Sequence, residues 1–334
     1  MKEKLVIGAI GVITCILLLV TLNDVIWSNN SINKDNGEAT TSVASNQSND
    51  GTGDSADSEE DGESAEPSDG ENPSEPAGDG AVTAIINAEG MTLATRIAVP
   101  SGYTRTEEAE DSLGTFIRNY GLKENGAKVL LYDGSEKKNQ DAQVAVFTLP
   151  IESRDLQQCA DSVMRMYAEY FLATEQYDRM VFHYSDGFEA SYMKWREGYK
   201  IKVTDGKASW VADSSCDSSY ESFQEYMRMV FAYAGTYSMK SESTEISLSD
   251  IKIGDIFLKG GNPGHVVMVV DTCVDANGNK AFLLAQGFMP AQEFHVIKNP
   301  LHEDDPWYYV DEVVYPFVTP EYTFEEGTLR RLSY

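Results

Sequence analysis

Ile253-Gly254-Asp255-Ile256-Phe257 and Gly264-His265-Val266-Val267-Met268-Val269-Val270 carry the fold of this chain. A Gly-Asp start, a short apolar strand, a Gly-rich turn and a second strand opening on histidine make a hairpin with an imidazole at one end. Phe282-Leu283-Leu284-Ala285-Gln286 reads as a third strand bearing one polar side chain. A histidine on one strand and an orienting polar residue on the next can hold a general base.

Upstream of these strands the pattern turns helical. Asp155 to Tyr170 reads as the strongest helix, with Asp155 as N-cap, Gln158 three residues on, and Leu156, Ala160, Val163, Tyr167 and Phe171 at helical spacing. Ser112 to Gly121 reads as a shorter capped helix. Tyr220 to Ala234 is a further one, with Phe223, Met227, Val230 and Phe231 on one face and Gly235 as its stop. Val129–Tyr132 and Ala142–Leu149 read as strands, Met180–Tyr184 as a short one, and Ile201–Trp210 as a hairpin turning on Asp205-Gly206. Helices followed by an antiparallel run of strands predict an α+β fold.

The 334 residues divide into three parts on composition. Residues 1–27 hold an uncharged apolar run, Leu5–Leu22, after Lys2 and Lys4. At 1.5 Å per residue it spans about 27 Å, the thickness of a bilayer core. The flanking lysines put the N-terminus in the cytosol, and no small-x-small pattern follows for cleavage. The expectation is a single transmembrane helix acting as signal anchor, with the remainder extracytoplasmic at the cell membrane. Residues 28–80 lack any aromatic and read as a disordered acidic linker. Residues 81–334 have globular composition.

Net charge is −28, of which residues 31–80 supply −13 and residues 81–334 supply −15. Nucleic acid therefore lacks an electrostatic basis as a partner. No cofactor motif is present and none is expected. Beyond Cys15 in the apolar run there are Cys159, Cys216 and Cys273, an odd number that gives no disulfide framework. His295 and His302, near Asp304 and Asp305, have weak spacing for a metal site, and none is expected.

The segment Tyr220–Gln286 resembles the NlpC-type and CHAP branch of the papain-like fold. Ala234-Gly235, Gly254-Asp255, Gly264-His265 and Gln286 occur in that branch's order. The resemblance implies helices packed on an antiparallel sheet and a cysteine hydrolase of cell-wall peptides. It also implies a nucleophilic cysteine eleven residues before the Ala of Ala234-Gly235. That position is Phe223, and Cys216 lies seven residues too early.

Cys159 is the remaining candidate, in the first turn of the strongest helix, where backbone amides favour a thiolate and an oxyanion. With it go His265 as base, Gln286 as its orienting partner, and Gln157 or Gln158 as oxyanion donor. Trp307, with Tyr308 and Tyr309, is a candidate for lining a substrate groove. Core packing is the competing reading for Cys159, Gln286 and the aromatic trio. Asp155–Ala160, Tyr233–Thr236 and Leu284–Gln292 also resemble a bacterial family known as domain of unknown function 4846, over most of residues 90–315. That family implies an exported protein and no mechanism. Two functions are expected: a tethered thiol hydrolase of amide bonds, or an inactive binding or scaffold module of the envelope. The partner is a cell-wall peptide or an envelope protein.

Overall fold

Strand β5, His265–Asp275, is the axis around which the rest is assembled. The computed structural model describes residues 84–213, 217–261 and 263–334. The apolar run, the acidic linker, Cys15 and Cys216 lie outside the described residues. Among the described residues no helix is long and apolar enough to cross a membrane.

Nine described strands form one antiparallel sheet. They are β1 (Tyr103–Arg105), β2 (Gln143–Val146), β3 (Ser243–Glu245), β4 (Ile256–Lys259), β5, β6 (Lys280–Gln286), β7 (His295–Ile297), β8 (Tyr308–Tyr309) and β9 (Leu329–Leu332). Their order is β2-β7-β6-β5-β4-β9-β3, with β1 also on β5 and β8 on β6. Register places Lys259 opposite His265, Met268 opposite Ala285, and Gln286 opposite His295. The three strands expected from the sequence are β4, β5 and β6. Val129–Tyr132 forms only isolated bridges, through Leu130 and Leu131, rather than a strand.

Side chains alternate between the faces of a strand. Val266, Met268 and Val270 of β5 join the larger core, whereas Val267 and Val269 join a second core with Phe257, Phe282, Phe317 and Phe324. Both faces are therefore covered, which is why β5 reads as an unbroken apolar run.

The helices are α1 (Leu93–Arg96), α2 (Leu113–Arg118), α3 (Cys159–Ala173), α4 (Tyr192–Arg196), α5 (Tyr220–Tyr233) and α6 (Thr236–Ser241). Helix α3 contains neither glycine nor proline and lies in the larger core. Val163, Met164, Ala168 and Phe171 are fully buried, each large side chain contributing about 2 kcal/mol. Its charged pair is internal too. Arg165 donates to Glu169 at 2.7 Å, one turn on, and Tyr220 of α5 completes the triangle by accepting from Arg165 (2.8 Å) and donating to Glu169 (2.6 Å). Buried charge is tolerated here because the two charges pair and Tyr220 bridges them, with only Nη1 of Arg165 left without a hydrogen bond.

The helix starts later than the sequence pattern predicts. Gln158, not Asp155, is the N-cap residue, and its amide donates to Oδ2 of Asp161 at 3.0 Å. Asp155 instead accepts from the Ala291 amide (2.7 Å) and from Gln158 Nε2 (2.9 Å). A tertiary contact has taken the carboxylate that local sequence assigns to the cap.

Candidate functional site

Cys159 opens helix α3 and lines a cleft of about 510 Å³. Asp155 and Asp161 line it from the approach to the helix and its first turn, Tyr237 from α6, and Gly264 and Met289 from the sheet side. The volume lies in the range usual for small-ligand sites, roughly 300–1,000 Å³. Gly264 is required by close approach: a Cβ there would fall 2.3 Å from Thr236 Oγ1 and 2.5 Å from the Gly261 carbonyl. Thr236 Oγ1 itself donates to that carbonyl at 3.0 Å, closing the wall.

The thiol is 5% exposed. Burial, and then the charge of Asp161, push its pKa up to about 11, against the smaller opposing pull of the Ala160 and Val266 amides beside the sulfur. A helix N-terminus ordinarily favours a thiolate; here desolvation outweighs it.

His265 and Gln286 are brought together as the sequence predicts. Nε2–H of His265 donates to Oε1 of Gln286 at 2.9 Å. The direction follows from the amide's other end, where Nε2 of Gln286 donates to the Glu321 carboxylate at 2.8 Å. Lys137 Nζ reaches the same oxygen at 2.6 Å, and Asn139 Nδ2 donates to the other at 3.1 Å. His295 stands 3.5 Å from Gln286 Nε2 and donates its Nδ1–H to the Glu293 carbonyl at 2.8 Å. Burial holds His265 at about 4 and His295 at about 3, so both rings are neutral at pH 7.

This network and the Cys159 thiol of α3 lie against different faces of β5. The His265 ring packs 4.7 Å from that of Tyr322, 4.6 Å from Phe288 and 6.1 Å from Phe324, with the second core. Cys159 belongs to the larger core with Val266. Gly287 marks the same division, since a Cβ there would meet Ser162 Oγ of α3 at 2.4 Å. Its neighbour Gln286 therefore points away from the helix. The buried Nδ1 of His265 has no hydrogen-bond partner, so it makes no hydrogen bond to the Cys159 sulfur.

The other sequence-derived candidates separate as well. Gln158 lines the cleft. Gln157 is fully buried, with neither amide atom hydrogen-bonded. Trp307 is fully buried and donates Nε1–H to the Ala98 carbonyl at 2.8 Å, which makes it core rather than groove. Phe223, where the hydrolase resemblance asks for a thiol, is also fully buried, with the Arg165 guanidinium 5.4 Å above its ring. His302 pairs with Glu312 at 2.7 Å, away from His295. Among the described residues no three His, Cys, Asp or Glu side chains converge on a possible metal position.

The model of the family described as domain of unknown function (4846) matches residues 93–331, a span that contains the cleft and the His265 network together. The chain belongs to this family. No curated protein and no solved structure matches it.

Three residues around the cleft and the His265 network of this 4846 domain carry no signal in the sequence. Glu321 reaches Gln286, and Lys137 reaches Glu321, from segments with no periodic signal of their own. Asp161 was in view, in Gln158-Cys159-Ala160-Asp161, but nothing local says that its carboxyl meets a cleft without a cation.

Proposed function

We propose that this 4846 domain is a non-hydrolytic binding module of the cell envelope, held at the membrane by residues 1–27 and spaced from it by residues 28–80. The cleft at the start of α3 is its binding site, and a cell-wall peptide or an envelope protein is its partner. The observation that carries this reading is the division across β5. Proton transfer needs hydrogen-bond reach, whereas the cleft thiol belongs to one core and the His265 imidazole to the other. A thiol near 11 and, on the other face, a histidine near 4 also favour the neutral forms over thiolate and imidazolium. The test is incubation of the full chain with purified wall fragments. Binding without release of new amines or carboxyls is expected, and a His265→Gln variant, altered on the other face of β5 from the cleft, should bind as well as the parent. Turnover lost in that variant would end the reading.

One feature favours a second reading, a papain-like thiol hydrolase. Cys159 begins a helix packed on an antiparallel sheet that carries a His-Gln pair on adjacent strands. For that chemistry the His265 end of β5 has to rotate its ring to the cleft side, breaking the bond to Gln286. Wall-fragment turnover that rises in Gln286→Ala would support it.

A further inference from the structure

The cleft carries an uncompensated acidic group. Asp161 is 6% exposed and lines the cleft; its Oδ2 takes the Gln158 amide, and its Oδ1 has no partner. Asp155 lines the same cleft, and among the described residues no lysine or arginine does. The mouth is aromatic and apolar, with Tyr237 67% and Met289 45% exposed. A buried carboxyl without a cation is costly unless something supplies the charge. Exposed large apolar side chains beside it give a surface for the stem of whatever does.

We propose that the cleft binds a primary ammonium group on an aliphatic stem, with Asp161 as its counter-charge and Tyr237 and Met289 against the stem. This rests on the binding-module reading and names the chemistry of its ligand. Phosphorylated and polyanionic ligands do not fit, because no cation lines the walls. A metal ion is disfavoured by the absence of a third converging ligand among the described residues.

The proposal has a proton signature. Burial holds the Asp161 carboxyl well above the usual carboxylate range in the free protein. An arriving ammonium favours the ionised form, so the fraction of carboxyl that is protonated in the free protein gives up its proton on binding, and affinity rises with pH. The titratable groups around the cleft are Asp155, Cys159 and the Tyr237 phenol; on the sheet side Gly264 and Met289 do not titrate.

The experiment is calorimetry of the full chain with Nα-acetyl-lysine amide and with its Nε-acetylated counterpart, in two buffers of different ionisation enthalpy. Expected are binding of the ammonium probe with proton release, at least about tenfold weaker binding of the acetylated probe, and a similar loss in Asp161→Asn. That isosteric change keeps an acceptor for the Gln158 amide, and an unchanged melting temperature verifies the fold. Equal binding of both probes, undiminished binding by Asp161→Asn, or saturation by calcium that displaces the ammonium probe overturns the assignment. Wall fragments that bind without competition from the ammonium probe overturn it too, while leaving the module reading in place.

Discussion

His265 and Gln286 face each other across adjacent strands at 2.9 Å, and the amide's other end is tied to Glu321. One side chain thus joins β5, β6 and the segment before Thr323–Phe324, with Lys137 completing the chain of contacts. Truncating it strands several buried groups at once. Gln286→Ala is expected to cost about 2–4 kcal/mol, since unmade buried hydrogen bonds cost roughly 1–3 kcal/mol each. Urea unfolding checks this through the midpoint, and a loss under about 0.5 kcal/mol would mean the network is not maintained in solution.

The two buried histidines give the domain an acid-side dependence whose sign can be worked out. Folded His265 titrates at about 4 and folded His295 at about 3, both below the ordinary value of 6.5. Between those values and 6.5 the unfolded chain binds more protons, so stability rises with pH there. Each ring contributes up to about 1.4 kcal/mol per pH unit. Asp161, raised by burial, works in the opposite sense from the ordinary value of 3.8 upward, where the folded chain binds more protons. The clean measurement is a difference: unfolding free energies at pH 7 and 5 for the parent and for His265→Gln. The variant should show the shallower loss on acidification.

Cys159 makes a kinetic prediction. With its thiol near 11, about one molecule in a few thousand carries the thiolate at pH 7.5. Iodoacetamide should label it slowly, with a rate that climbs roughly tenfold per pH unit up to pH 10. The Asp161 charge is the second cause of the raised value, so Asp161→Asn should speed labelling at a given pH. A Cys15→Ser/Cys216→Ser background removes the two competing thiols outside the described residues. Fast labelling at neutral pH with a plateau below pH 8 would contradict the buried setting.

Much of this was legible because strand and helix periods differ. β4, β5 and β6 were readable from their apolar runs, and the His265–Gln286 pairing from their adjacency. The face on which the pair lies was not. Val266, Met268 and Val270 look the same in sequence as Val267 and Val269, and a strand covered on both sides carries no alternation to say which side a helix takes. Cys159 could be placed at a helix start, but the opposite-face relationship to His265 depends on how α3 docks. The Asp155 cap expectation failed for a related reason. Its competitor, the Ala291 amide, lies 136 residues on, and no local pattern reveals so distant a donor.

Asp271 offers the sharpest stability test, because one fully buried carboxylate holds two cations. Arg105 Nε donates to its Oδ2 and Arg118 Nε to its Oδ1, both at 2.7 Å, and the Thr272 amide adds a bond of 2.9 Å. These contacts pin β1 and helix α2 to the middle of β5. Asp271→Asn keeps the shape but removes the charge, leaving two guanidinium groups facing each other. Breaking one side of a buried ion pair costs roughly 3–5 kcal/mol, and the double repulsion puts this case at the upper end. Asp271→Leu combined with Arg118→Met, which removes a cation as well, should recover part of the loss despite deleting more hydrogen bonds. Urea midpoints for both variants decide it: a double variant no more stable than Asp271→Asn would show that hydrogen bonding, not charge balance, holds this corner.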